Sequence, residues 1–210
     1  MWTSRLLASS LLGGDLIVNV DESAFATCAG NKMRWEFPTL KTRPADPLAT
    51  AFNRKRPPPA YQYRLTLLAA MTPDRVVGIQ LVHGSVDKTV YRNFLYGLLC
   101  GLRSDPLTKH RRIVLQQDNA RIHHSAGSKI IQDFGVTCFF TARYSPDLSA
   151  IEMLFCHLKR RMLGLRPFNS RQEVVANVQR LCCELNEDPR RVRTIWRYTV
   201  RKWLEKIEET

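Results

Sequence analysis

The sequence predicts an α/β domain that ends in a helical tail. Short apolar runs, typical of strands, alternate with stretches in which apolar residues recur every three or four positions, as in helices. Residues 166–210 show only the helical pattern. The chain has 210 residues, enough to bury a full core without disulfides or metal staples. Together these observations favour one mixed domain with helices packed on a sheet.

Five apolar runs bounded by turn residues predict strands. The first, Leu16–Val20, is followed at once by Asp21, and the fourth is followed by Asp118. Thr72–Asp74 is a turn between the second and third runs, which therefore predict a hairpin. Residues 38–60 are rich in Pro, Arg and Lys, and we expect a loop or arm there. The predicted strands are 16–20, 64–71, 76–82, 111–117 and 136–140.

Cap signals and apolar faces predict five helices. Asp87 can cap the first helix, and Gly135 stands in the C-cap position of the second. Ser170 and Glu173 form a capping box, and Pro189 suits the first turn of the last helix. The predicted helices are 87–102, 125–134, 148–163, one opening at 170, and one over 189–207 with a buried stripe of Val192, Ile195, Trp196, Val200, Trp203 and Leu204.

The composition is strongly basic. There are 32 Lys and Arg residues against 19 Asp and Glu, a net charge of +13, and 23 of the basic residues are Arg. Such an excess argues against an acidic or neutral small-molecule enzyme and indicates a polyanionic partner. Because Arg forks bind phosphate in bidentate fashion, nucleic acid is favoured over a membrane surface. The alternative is a basic solvated surface with no partner.

Cysteine spacing and the amino terminus bear on the compartment. The six cysteines form no C-x-x-C pair, so neither a zinc site nor a redox dithiol is expected, and buried thiols in a reducing compartment fit best. The apolar run Leu6–Leu12 follows Arg5 but leads directly into the first strand, so we do not expect secretion. No apolar run approaches the roughly 20 residues of a membrane span.

Three acids stand where strands and a helix meet. If the strands before Asp21 and Asp118 are adjacent and parallel, their carboxylates lie side by side at the sheet edge where α/β sites form. Glu152 falls in the first turn of the helix after the Tyr144–Pro146 turn. Converging carboxylates repel one another unless cations neutralise them, and hard divalent cations prefer such oxygen ligands. Taken singly, each acid also suits a turn or a helix cap.

Three sequence blocks contain these acids. They are Val20-Asp-Glu-Ser23, Gln117-Asp-Asn-Ala-Arg-Ile-His123 and Tyr144-Ser-Pro-Asp-Leu-Ser-Ala-Ile-Glu152. In this order, with 33 residues between Asp118 and Glu152, they resemble the signature blocks of the mariner superfamily of DDE/D transposases. The resemblance runs from about residue 14 to 165. Further similar words occur at Trp35, Val82–Gly84 and Phe155–Lys159.

The resemblance implies a fold, an activity and a site. The fold is a ribonuclease-H-like mixed sheet flanked by helices over residues 1–165, with 166–210 as a helical extension packed on the same domain. The activity is DNA strand cleavage and transfer with Mg²⁺ or Mn²⁺, two ions in all. Asp21, Asp118 and Glu152 are the expected catalytic residues and metal ligands. Asn119 and His123 are expected to support the site, although a satisfied half-buried histidine is the alternative for His123.

The implied partner is DNA, held by its backbone, and a homodimer is possible. Expected phosphate contacts are Arg54, Lys55, Arg56, Arg111, Arg112, Lys159, Arg160 and Arg161, although the last three also suit a solvated helix face. The expected location is the nucleus of a eukaryotic host, or otherwise the cytoplasm. A different nuclease of the same fold is disfavoured, because the Tyr-Ser-Pro block is not required by the fold.

The sequence departs from the family pattern in two places. Ser149-Ala150 stands where the family has Asn-Pro, and the missing proline could loosen the helix start that carries Glu152. Only 20 residues precede Asp21, too few for the family's helix-turn-helix units. We therefore expect a catalytic domain alone or a truncated copy. The alternative to an enzyme is a DNA-binding module without turnover, and a decaying copy whose tail serves subunit association is a weaker one.

Overall fold

The computed structural model describes residues 2–26, 64–141, 145–165, 168 and 170–208. The predicted arm at 38–60, the basic residues Arg54, Lys55 and Arg56, and Trp35 and Tyr144 lie outside the described residues.

Five strands form one mixed sheet, in the order β3-β2-β1-β4-β5. β1 pairs antiparallel with β2, which pairs antiparallel with β3, so the predicted hairpin is confirmed. β1 also pairs parallel with β4, and β4 with β5. The strands are β1 (Leu16–Ala26), β2 (Arg64–Met71), β3 (Val76–His83), β4 (Ile113–Gln117) and β5 (Thr137–Phe140).

Helices cover both faces of the sheet. The helices are α1 (Trp2–Leu12), α2 (Lys88–Ser104), α3 (Arg121–Asp133), α4 (Ala150–Leu163), α5 (Arg171–Glu187) and α6 (Pro189–Glu208), with a 3₁₀ turn at Pro146–Leu148. The predicted caps form as expected: Asp87 accepts a hydrogen bond from Val90 N–H, and Ser170 accepts one from Glu173 N–H. Gly135 has φ +61°, the left-handed conformation expected after a helix end.

Alternation along β1 feeds two hydrophobic cores. Ile17 and Phe25 point to the face covered by α4, α5 and α6, whereas Val18 and Val20 point to the face covered by α2 and α3. Asn19, Asp21 and Ser23 therefore face the α4 side. No helix in the described ranges is long and apolar enough to cross a membrane.

Several predicted boundaries were wrong. β1 does not end at Val20 but continues to Ala26, because β2 pairs with it over eight residues and places Ala69 opposite Asp21. α3 begins at Arg121, four residues before the predicted start. The helix predicted from 148 is split, since Ser149 is extended between the 3₁₀ turn and α4. Leu204, predicted to be buried, is 49% exposed. α1 was not predicted.

Candidate functional site

Asp21 and Asp118 lie side by side on two neighbouring parallel strands, at the level where β4 ends. In the parallel pair β1–β4, Asn19 lies opposite Gln116, so two residues further along each strand Asp21 comes level with Asp118. β4 ends at Gln117, and Asp118 is the first residue beyond it. The condition for these two acids to lie side by side, that their strands be adjacent and parallel, is met. Unlike Asp118, which is exposed, Asp21 is buried within its strand.

Burial and neighbouring negative charges raise the pKa of Asp21. Burial is the largest influence and raises the pKa of Asp21 to about 7, and the negative charges of Asp118 and Glu22 act in the same direction. The Glu22 backbone N–H, which donates to Asp21 Oδ1 at 2.7 Å, lowers this pKa, as does His123. The two aspartates are therefore close enough to repel one another.

His123 bridges two carboxylates. Its Nδ1 lies 2.5 Å from Asp118 Oδ1 and its Nε2 lies 2.9 Å from Glu22 Oε2, with the ring 1% exposed. Burial by itself lowers the pKa of His123, but the hydrogen bonds to Asp118 and Glu22 outweigh it and raise the pKa to about 10. The same hydrogen bond from His123 is the main cause of the lowered pKa of Asp118. At neutral pH the ring is an imidazolium that donates to both acids.

Two residues that the sequence did not single out complete this arrangement. Glu22 directly follows Asp21 in the first sequence block, which was the one available signal for it. Tyr91, on α2, has its ring centroid 4.6 Å from that of His123, and its hydroxyl donates to Gln117 Oε1. Nothing in the sequence distinguishes this tyrosine from a core residue. The acids Asp21 and Glu22 and the imidazole of His123 offer ligand atoms within 4.8 Å of one another.

Glu152 lies in the first turn of α4, a helix that contacts β1. The first turn of that helix is tied to β1, because Ile151 N–H donates to Asn19 Oδ1 at 2.7 Å. Two helical turns beyond Glu152, Lys159 Nζ donates to Ser23 Oγ at 2.7 Å. Residues seven apart share one helix face, so Glu152 lies on the side of α4 that Lys159 directs toward β1.

The structure brings neither Asp118 nor Glu152 into the closely spaced cluster. Glu152 is exposed, and among the described residues that cluster holds only Asp21, Glu22 and His123. The family's Asn-Pro is replaced by Ser149-Ala150, yet the helix start is held, since Ser149 Oγ donates to Asn19 Oδ1 at 3.1 Å. The Asn19 side chain thus accepts hydrogen bonds from two residues at this helix start, Ser149 and Ile151.

The predicted supporting and basic residues divide by location. Asn119 is exposed and its Oδ1 accepts from His124 Nε2 at 2.6 Å, so it contacts a neighbouring histidine. Arg111 donates to the carbonyls of Gly14 and Asp15, and Arg112 lies 3.8 Å from the Asp15 carboxylate. These two arginines precede β4, about 20–23 Å along the chain from Asp118. Their role in DNA binding stays a prediction.

Among the described residues predicted to contact phosphate, those on α4 share a helix with Glu152. Lys159 contacts Ser23 and stands over the Phe25 ring at 5.7 Å. Arg160 is exposed, and Arg161 lies 3.3 Å from Glu184 on α5.

A five-stranded mixed sheet flanked by helices, with one acid within β1 and a second just past the parallel strand β4, is the ribonuclease-H-like fold of DDE transposase catalytic domains. Residues 17–175 match the model of the DDE superfamily endonucleases, and the chain belongs to that family. The expected family and fold class are confirmed.

Solved structures of the Mos1 mariner transposase share this fold. The Mos1 catalytic domain has a TM-score of 0.68 at 17% identity, over 96% of this chain and 86% of that one. The Mos1 paired-end complex with Mg has a TM-score of 0.71 at 18% identity, over 99% and 60%. For the Mos1 strand transfer complex the TM-score is 0.69 at 18% identity, over 96% and 57%, so the chain spans just over half of that protein. No curated protein matches by sequence.

Proposed function

We propose that this chain cleaves and joins DNA strands in a metal-dependent reaction at Asp21, Asp118 and Glu152. The observation that carries the proposal is the parallel register that sets Asp21 level with Asp118. Support comes from membership of the DDE endonuclease family and from related Mos1 structures that contain Mg or Mn.

The donor set suits a hard divalent cation. Asp21, Asp118 and Glu152 would supply carboxylate oxygens, the ligands that Mg²⁺ and Mn²⁺ prefer. The raised pKa of Asp21 reflects burial beside like charges, which a cation would relieve. When bound, such ions activate a water or a 3′-hydroxyl and stabilise the leaving oxygen of a phosphodiester.

The chain's own residues set the geometry of the acids. His123 donates to Asp118 Oδ1 and thereby orients that carboxylate, while Glu22 offsets the charge of the imidazolium. Asn19 holds the first turn of α4, and with it Glu152, against β1. Lys159 and Arg160, exposed on the same helix, would contact the DNA backbone near the acids.

The decisive experiment is nicking of supercoiled plasmid in Mg²⁺ or Mn²⁺. Asp118→Asn keeps the shape of the side chain but removes its charge, so nicking should fall at least a hundredfold. Asp133→Asn removes an exposed acid at the end of α3 and should nick like the parent. Equal rates for Asp118→Asn and the parent would overturn the proposal.

A DNA-binding module without turnover is the second candidate. The exposure of Glu152, outside the close cluster of Asp21, Glu22 and His123, favours it. Such a module would bind DNA with a steep salt dependence, because phosphate contact needs no catalysis. It would nick DNA with neither Mg²⁺ nor Mn²⁺, and the assay above separates the two candidates.

A further inference from the structure

The outward face of α6 carries a row of arginines. At 3.6 residues per turn, their side chains project within about 80° of one another, and the row is about 16 Å long. The opposite face of α6 is buried, with Val192, Trp196 and Trp203 in the core. The members of this α6 arginine row are Arg190, Arg193, Arg197 and Arg201.

Much of the charge of the row is not neutralised. Arg193 and Arg197 are exposed and make no ion pair within the described part of the chain. Arg190 lies 3.4 Å from Asp188 and Arg201 lies 3.0 Å from Glu205, but these arginine side chains are 90% and 80% exposed. Ion pairs on the surface are weak and yield readily to another anion.

We propose that the α6 arginine row binds the phosphate backbone of duplex DNA. The inference rests on the proposed function and adds a surface to it. Guanidinium forks bind phosphate in bidentate fashion, and one DNA strand carries about five phosphates over 16 Å of duplex. Four guanidiniums in a row of that length therefore match the density of charge along the strand.

The buried face of the helix that carries the row contacts the turn that leads to the third acid. Two residues beyond Arg201, Trp203 Nε1 donates to the carbonyl of Leu148 at 2.9 Å. Leu148 ends the 3₁₀ turn before α4, and both α4 and α6 pack on the sheet face toward which Asp21 points. DNA bound along the row would thus pass on the α4 side of the sheet.

An acidic peptide is the rival occupant. A groove of about 410 Å³ borders the row, with Leu11, Val200 and Leu204 among its lining residues. DNA is favoured because the row extends past the groove to Arg190 and because the whole chain carries a charge of +13. Backbone binding depends on that charge and needs no apolar anchor.

The test is the salt dependence of duplex binding, measured by fluorescence anisotropy in EDTA so that cleavage plays no part. For B-DNA the slope of log K against log salt is negative, and its magnitude decreases by about 0.9 for each phosphate contact that is lost. Arg193→Gln with Arg197→Gln and Arg201→Gln should lower the magnitude of the slope by about 2.7, and Arg197→Gln alone by about 0.9.

Two matched variants control for charge. Arg193→Lys with Arg197→Lys and Arg201→Lys keeps the three positive charges, so its slope should stay within about 0.5 of the parent's. Lys88→Gln with Arg92→Gln and Lys129→Gln removes three exposed cations from α2 and α3 on the other sheet face and should leave the slope equally unchanged. A slope unaltered by the triple Gln variant, or lowered as much by the α2–α3 control, overturns the inference and leaves the groove to a peptide. Failure of the proposed function would appear separately, as binding without nicking.

Discussion

The side chain of Asn19 accepts a hydrogen bond from the backbone N–H of Ile151 at 2.7 Å, which ties the middle of the sheet to the first turn of α4. Asn19 is fully buried, and its Nδ2 also donates to the carbonyl of Gln116 at 3.2 Å. One amide therefore joins β1, β4 and the helix that carries Glu152. The Asn19 side chain thereby holds the start of α4, where this sequence has Ser149-Ala150 in place of the family pattern Asn-Pro.

Asn19→Ala should reveal how much that amide contributes. The change leaves the Ile151 N–H and the Ser149 hydroxyl buried without their acceptor, which should lower the free energy of unfolding by about 1–3 kcal/mol. Urea unfolding measures this. Asn177→Ala, which removes a hydrogen bond within α5, is the control and should cost less than half as much. Equal losses would show that Asn19 has no special role.

Glu22 and His123 should prove energetically coupled. Removing Glu22 leaves the buried imidazolium with Asp118 as its one remaining acid, and removing His123 leaves the half-buried Glu22 carboxylate without that partner. The unfolding free energies of Glu22→Ala, His123→Ala and the double variant should therefore be non-additive by about 1–3 kcal/mol. The exposed pair Arg201–Glu205 on α6 is the control, for which no measurable coupling is expected. Additive losses for Glu22 and His123 would mean that their contact contributes nothing to stability.

Two buried tryptophans on α6 allow the contribution of a hydrogen bond to stability to be measured apart from that of packing. Trp203 donates to the Leu148 carbonyl, whereas the buried Nε1 of Trp196 has no hydrogen-bond partner among the residues that the structure describes. Trp203→Phe should therefore destabilise the protein by about 1 kcal/mol more than Trp196→Phe, because both changes remove similar ring volume. Thermal or urea unfolding of the two variants gives the comparison. A larger loss for Trp196→Phe would contradict it.

His157 should make stability fall in mild acid. Burial, and then the nearby charges of Arg161, Arg191 and Arg160, lower the pKa of His157. The unfolded chain then binds a proton first, so stability is complete above the ordinary histidine pKa of about 6.5 and declines as pH falls below it. Unfolding between pH 5 and 8 should show a smaller decline for His157→Gln than for the parent. Parallel curves would contradict the assignment.

The five strands and the β2–β3 hairpin could be predicted because apolar runs and turn residues indicate strands directly. The parallel pairing that sets Asp21 level with Asp118 entered only as a condition, because periodicity along the chain does not determine which strands are neighbours. Glu22 could not be placed, because strand alternation sends it to the face opposite Asp21, where only the packing of α3 brings His123 to it. The early start of α3 depends on the Asp118 carboxylate, which accepts from Ala120 N–H at 2.9 Å and turns the chain into the helix at once. The exposure of Leu204 could not be predicted, because it depends on how α6 packs on the rest of the domain, and helical periodicity alone does not determine that.

The alternation of β1 also means that the site can exist in only one alignment of that strand. Asp21 and Glu22 are neighbours in sequence, yet they serve opposite sides of the sheet: one faces α4, and the other faces the histidine of α3. A slip by a single residue would exchange the two acids and expel Val18 and Val20 from their core. The apolar packing of β1 thus fixes the register that places both acids. A chain with β1 out of register would lose core packing, and would unfold before its acids could take up the wrong positions.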